Sequence, residues 1–166
     1  MKFTTTLAAL LPATLALAGP TTNPKGFEKI SARQTTGSSS LSYDPVYDQG
    51  TNSLATVSCS DGDFGLLTEG YTTFASLPSF PRIGGAPTIS GHGSANCGTC
   101  YQVTWTSATG ASNTITVTGI DQSPSGFNVG QQAMDQLTGN RAIELGRIDV
   151  TWTEVSREEC GLAPRN

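Results

Sequence analysis

The sequence predicts a mainly β domain, a small barrel or sandwich, held together by disulfides. Three observations carry this. Several short segments alternate apolar or β-branched residues with polar ones at period two. Gly- and Pro-rich punctuation separates them, and helical patterning is scarce. Four cysteines stand in a chain that opens like an exported precursor.

Taken in order along the chain, residues 53–59 alternate, and 88–90 form a short second strand candidate. Residues 101–106 put Tyr101, Val103 and Trp105 on one face. Residues 113–120 put Ile115 and Val117 on one face and a row of threonines on the other. Between these two, Ala108-Thr109-Gly110-Ala111 reads as a hairpin turn. Residues 142–145 read as a further strand, and 147–155 bring Ile148, Val150 and Trp152 together. Pro78, Pro81 and Pro87 with Gly84-Gly85 mark a long irregular loop. Two short helices are expected. In 130–138, Ala133, Met134 and Leu137 share a face and Gly139 takes the stop position. The second covers 72–77 and ends at Pro78. There is no internal repeat.

Residues 1–18 read as a signal peptide. Lys2 supplies the positive charge, 7–17 the apolar run, and Ala16-Leu17-Ala18 the small-residue cleavage site. The apolar run is shorter than the ~20 residues that span a bilayer, and no second such segment follows. The mature protein is therefore expected to be soluble and secreted. Residues 19–40, rich in Gly, Pro, Ser, Thr, Asn and Gln, read as a disordered pro-segment or linker, because they cannot bury enough apolar surface to offset ordering entropy. Lys25, Lys29 and Arg33 lie there, without a dibasic pair. The folded domain is expected over 41–166.

Within 41–160, four arginines and no lysine stand against twelve carboxylates, a formal charge of −8. That sign repels phosphate backbones and anionic lipid, so neither nucleic acid nor membrane is expected as a partner. An uncharged or cationic ligand is compatible with it. No Asn-x-Ser/Thr acceptor for N-glycosylation occurs.

The four cysteines allow three pairings. Cys97 and Cys100 can close a tiny ring, leaving Cys59 and Cys160 to tie the ends. Alternatively, Cys59–Cys97 with Cys100–Cys160 staples two long loops to one point, and the residues alone leave the choice open. Cys97-Gly98-Thr99-Cys100 is no thioredoxin-type site, since strand-like alternation rather than a helix follows it. Zinc ligation by these cysteines or His92 runs against the oxidising compartment of an exported chain.

Several motifs in one order resemble a known family. They are Ser42-Tyr43-Asp44-Pro45-Val46-Tyr47, Cys59-Ser60-Asp61-Gly62-Asp63 with Gly65-Leu66, Phe80-Pro81, Gly84-Gly85 and Cys97-Gly98-Thr99-Cys100. Gly119-Ile120-Asp121, Gly126-Phe127-Asn128-Val129 and Gly146-Arg147-Ile148-Asp149 complete the set. The similarity, over essentially all of 41–160, is to the cerato-platanin family of small secreted fungal proteins. The resemblance implies a six-stranded double-ψ β-barrel with small helices, like that of expansins, barwin and related endoglucanases. It also implies the pairing Cys59–Cys97 and Cys100–Cys160. Members are non-catalytic or weakly active on polysaccharide, bind chitin-type oligosaccharides and loosen cellulosic material. Plants sense them as defence elicitors, some self-assemble at air–water interfaces, and some are allergens.

On that resemblance Asp121 is the leading site residue. It ends a strand pattern before Gln122-Ser123-Pro124, where a barrel rim presents polar groups, and the corresponding acid of the related endoglucanases protonates the glycosidic oxygen. The competing role is structural: capping that turn by accepting backbone N–H groups. Hydrolysis needs a second carboxylate, ~5 Å away for retention or ~6.5–9.5 Å for inversion. Asp44 is the first candidate, followed by Asp48, Asp61, Asp63, Asp135 and Asp149, the last with Arg141 or Arg147 as its expected ion-pair partner. The principal expectation is non-catalytic binding of chitin or cellulose chains. Asp121 and Gln122 would bond sugar hydroxyls, with Tyr43 (as stacking platform), Asp44 and Asn96 lining the same face. A plant or other host receptor is a further expected partner. A weak hydrolase using Asp121 with Asp44, and a surface-active self-assembling protein, are the alternatives. His92, the lone histidine, is expected as a loop residue near the groove, where family members often carry an aromatic. Trp105 and Trp152 are expected in the core. No metal or organic cofactor is implied.

Overall fold

A computed structural model describes residues 34–165. The expected signal peptide, and the expected pro-segment up to residue 33, lie outside the described residues. Six strands are present: β1 (Thr36–Tyr43), β2 (Ile83–Ala86), β3 (Cys100–Thr106), β4 (Ser112–Gln122), β5 (Phe127–Val129) and β6 (Arg147–Val155). They close in the order β1-β5-β2-β4-β3-β6. Pairs β1/β5 and β2/β4 are parallel; the other four contacts are antiparallel. This is the double-ψ β-barrel that the family resemblance implied, and closure leaves no sheet edge to protect.

The alternating strands fold as their pattern dictates. In β6, Ile148, Val150 and Trp152 turn inward. In β3, Tyr101 and Val103 are buried and Trp105 is half-buried against the core. Inside the barrel Tyr101, Phe127 and Trp152 meet edge-to-face, with ring centroids 5.3 to 6.1 Å apart. Burial pushes the Tyr101 phenol up to about 12, and its hydroxyl is bonded to Thr88. The turn after β3 closes where expected, with Ser107 N–H donating to Ala111 O at 2.8 Å.

Three strands escaped the sequence reading: β1, β2 and the three-residue β5. β1 contains a run of serines and one fully buried apolar residue, Leu41. It forms because seven of its residues pair with β6 and its end pairs with β5. The boundary expected between residues 40 and 41 therefore falls inside a strand, and the fold begins at Thr36. β2 lies in the segment expected to be an irregular loop. Its glycines serve close backbone approach: a Cβ on Gly84 would stand 2.2 Å from Asn128 O of β5. Gly84→Ala is expected to cost about 2–3 kcal/mol, since backbone rather than a flexible side chain must yield. A urea midpoint unchanged from the parent protein would refute this.

Three other expectations give way to local hydrogen bonding. Residues 53–59 are not a strand but hold a 3₁₀ turn, Leu54–Thr56. Ser53 Oγ accepts Ala55 N–H at 3.1 Å and Thr56 Oγ1 donates to Ser53 O at 2.7 Å, satisfying the backbone without a ladder. Residues 88–90 form a turn and its exit, with Ile89 N–H donating to Ala86 O at 3.2 Å. Residues 142–145 are a helix, α2 (Ala142–Leu145), started by Asp135 Oδ1, which accepts Ala142 N–H at 2.9 Å. A four-residue apolar pattern cannot separate the two states.

The expected helix before it is present as α1 (Gln131–Thr138), ended by Gly139 in the left-handed region at φ 69°. Its N-terminus is capped from a distance: Asp48 accepts Gln131 N–H at 2.8 Å and Gln132 N–H at 3.2 Å. The expected helix at 72–77 is a single 3₁₀ turn, Phe74–Ser76, with a Thr73/Ser76 capping box.

The disulfides are Cys59–Cys97 and Cys100–Cys160, the pairing implied by the family resemblance. A charged latch lies beside them. Glu69 receives Arg157 and Arg165, each at 2.6 Å, while these arginines also donate to the carbonyls of Gly98 and Cys97. The tail after β6 is thereby fastened to the disulfide loop.

Candidate functional site

Asp121 stands at the rim end of β4 because of a bulge. The β2/β4 register shifts between Gly84 and Gly85, so Gly84 pairs with Gly119 and Gly85 with Asp121, and Ile120 is extra. The carboxylate is then surrounded by donors. Oδ1 accepts the Ser58 hydroxyl at 2.6 Å, the Ser58 N–H at 3.0 Å and the Gln122 N–H at 2.8 Å. Oδ2 accepts the Tyr47 hydroxyl at 3.2 Å.

Tyr47 is buried and stacks on Phe74 at 6.1 Å. Burial, and then the negative Asp121 beside it, raise its phenol well above the ordinary tyrosine range. It stays protonated and serves Asp121 as a donor.

Every partner of Asp121 is a donor, so the geometry presents an acceptor to a ligand. A carboxylate has roughly four acceptor positions. Oδ1 is crowded, and the open capacity is on Oδ2. The turn-capping role is real, since the Gln122 N–H is held, but it is one contact of four.

The neighbours arrange as follows. Gln122 is exposed at the end of β4, and its Oε1 lies by Gly91, 3.6 Å from where a Cβ there would stand. Tyr43, half-buried at the end of β1, packs on the core. Asp44 follows it and caps the next turn, Pro45–Asp48, by accepting Val46 N–H at 2.9 Å. That turn carries Tyr47, which ties Tyr43 and Asp44 to the Asp121 end of the barrel. Asn96 spends its amide on Thr88 O at 2.7 Å and makes no hydrogen bond to Asp121 or Gln122. Tyr47 and Ser58 are the residues the sequence reading missed. Tyr47 lay inside a quoted motif and Ser58 beside Cys59, but which side chain meets Asp121 across 74 and 63 residues is a tertiary fact.

The other carboxylates have structural partners or none. Asp48 and Asp135 start helices. Asp149 does not pair as expected: Arg141 binds Glu144 at 2.8 Å, and Arg147 turns to Ser40 Oγ at 2.7 Å. Among the described residues no cluster of three or more His, Cys, Asp or Glu side chains stands ready for a metal.

His92 is an exposed loop residue, bonded to Asp61 at 2.6 Å. This contact, followed by that of Ser60, lowers the Asp61 carboxyl below the usual carboxylate range. The sign follows: any stabilisation is present above the ordinary carboxylate pKa and is lost as pH falls through the depressed one. In an NMR carboxyl titration, His92→Ala is expected to move the Asp61 midpoint up; equal midpoints in both proteins would remove the contact from solution.

A six-stranded barrel stapled by two disulfides, with one carboxylate fastened at its rim, defines a small β-barrel class that accommodates both binding modules and hydrolases. The cerato-platanin family profile matches residues 39–162, and the chain belongs to that family. It is 45% identical over 161 residues to Allergen Asp f 15 of Aspergillus fumigatus, covering 96% of this chain and 97% of that one. It is 40% identical over 122 residues to cerato-platanin of Ceratocystis fimbriata f. sp. platani, covering 73% and 85% of the two chains. Among solved structures it is similar to cerato-platanin 3 of M. perniciosa, with 53% identity and a TM-score of 0.70, covering 76% of this chain and all of that one.

Proposed function

We propose that this protein is a secreted, non-catalytic glycan-binding member of its family, and that it takes chitin-type and related β-1,4-linked chains at the Asp121 end of the barrel. The carrying observation is the Asp121 carboxylate, fixed by four donors yet open on Oδ2, with exposed Gln122 beside it. A preorganised acceptor with an adjacent amide suits paired sugar hydroxyls. Tyr43, Asp44 and Asn96 complete the face. Binding is weak, since an open rim exchanges water hydrogen bonds for protein ones. Loosening of polysaccharide follows from competing with chain–chain hydrogen bonds, and the fungal cell wall is its place of action. Two disulfides, and among the described residues no helix able to cross a membrane, fit that location. Recognition by a plant or other host receptor accompanies this reading; similarity to an Aspergillus fumigatus protein named an allergen supports surface recognition by a host.

The test is an amide NMR titration of the oxidised protein with a chitin tetramer. Saturable shifts are expected around Tyr43, Asp121 and Gln122; still spectra at millimolar ligand would end the proposal. A reducing-end assay on β-glucans and chitin is expected to stay at blank, and sugar release would reinstate hydrolysis by Asp121 with Asp44.

A further inference from the structure

On the wall opposite β2, the outer face of β1, β6 and β3 holds a shallow trough of about 440 Å³. Its side chains are short hydroxyls. Ser38 pairs across with Thr151 and Thr151 with Thr104, so three strands place hydroxyls in one row. Thr106 and Asp149 lie in the adjoining row, and Val150 also contributes to the lining. The trough's size falls in the usual range for small-ligand sites, ~300–1,000 Å³.

The chemistry excludes most ligands. Among the described residues no cation lines the trough, which disfavours phosphate or sulfate esters. Arg147, the nearest guanidinium in sequence, donates instead to Ser40 Oγ and Ser125 O. One carboxylate is too few for a resident metal ion, which needs several protein ligands. Asp149 itself has no ion-pair partner among the described residues. Its acceptor positions are open in a setting of hydroxyls that donate and accept. That set matches the vicinal diols of a neutral sugar. From Ser38 to Thr104 the row crosses two strand spacings, roughly 10 Å, about the length of one disaccharide of an extended β-linked chain.

We infer that this trough is a second glycan-binding site, taking one disaccharide of a neutral β-linked chain, separate from the Asp121 rim. It stands whether or not Asp121 binds sugar. The two sites share no residue: the trough lies along the outer face of β1, β6 and β3, and Asp121 stands at the rim end of β4. One molecule can then engage two chains, which raises its hold on a polysaccharide matrix far more than its effect on single oligomers. Among the described residues no aromatic lines the trough to stack on a sugar, so the single site is weak.

The test uses the oxidised, isotope-labelled protein with cellotetraose and chitin tetramer. Saturable amide shifts are expected at Ser38, Thr104, Asp149 and Thr151, as a cluster distinct from Tyr43, Asp121 and Gln122. The double variant Thr104→Val/Thr151→Val keeps branching and shape and is expected to weaken that cluster's affinity about tenfold or more, the effect of losing one or two hydrogen bonds. Asp121→Asn is expected to leave it unchanged. Asp149→Asn provides a second variant should the valines disturb the sheet, and is expected to weaken the same cluster severalfold. No shifts in the cluster at millimolar ligand, or shifts of equal affinity in these trough variants, would overturn the proposal. Silence at Asp121 alone would overturn only the rim site.

Discussion

Reduction of both disulfides is expected to unfold the barrel at room temperature or bring it to the edge of unfolding. Cys59–Cys97 closes a loop of 38 residues and Cys100–Cys160 one of 60. In the chain-entropy model each removes about 4 kcal/mol of freedom from the unfolded chain. Together they match the ~5–15 kcal/mol that a domain of this size normally has in total. The pair Cys100→Ser/Cys160→Ser is expected to lose about 4 kcal/mol, or roughly 15 °C in Tm. This bridge joins β3 to the segment after β6, so its loss also frees the tail held by Glu69. Calorimetry of oxidised, singly bridged and reduced protein checks the order. A reduced protein melting within 5 °C of the oxidised one would show that the core suffices, against the small-shift limit expected for about 1 kcal/mol.

The second large effect concerns Asp121. Asp121→Ala is expected to cost about 3 kcal/mol, because four donors lose one acceptor and two of them are backbone N–H groups. Asp121→Asn is expected to cost about 1 kcal/mol. The amide oxygen keeps the three donors on Oδ1, and its NH₂ can donate to the Tyr47 hydroxyl, which accepts as well as donates. The asparagine variant therefore tests sugar binding on an intact fold, whereas the alanine variant confounds binding with stability. Urea unfolding monitored by the fluorescence of Trp105 and Trp152 measures both. An alanine midpoint equal to the parent's would mean that the carboxylate carries no structural burden.

The legible parts of this molecule were those in which a residue's neighbours along the chain decide its state. In β3 and β6 alternation sorts apolar from polar residues onto two faces; β4 appeared where its pattern stood, although its second half is buried on both faces, Thr118 included. α1 was legible from its shared apolar face and Gly139. The Asp121 rim was legible as a place, since a strand ending before a Gly/Ser/Pro loop must meet solvent. Motif order conveyed the family, and through it the barrel and the cysteine pairing.

The misread parts depend on contacts far apart in sequence. β1, built mostly of serine, has little strand preference of its own; β6 and β5 supply its hydrogen bonds and Leu41 its anchor. β2 looks like a loop because glycine is read as punctuation, yet here it admits Asn128 of the neighbouring strand. At 53–59 and 142–145, single polar side chains, Ser53 and Asp135, tipped short ambiguous runs into turns and helix. Asp121 shows the same division: the sequence by itself determined that a carboxylate sits at a strand end. Only the tertiary structure decided, through the bulge at Ile120 and the approach of Tyr47 and Ser58, that it is an anchored acceptor. Periodicity and turn chemistry act over a few residues and are written locally; barrel closure, strand register and hydrogen-bond partners are set by which distant backbones the core brings together.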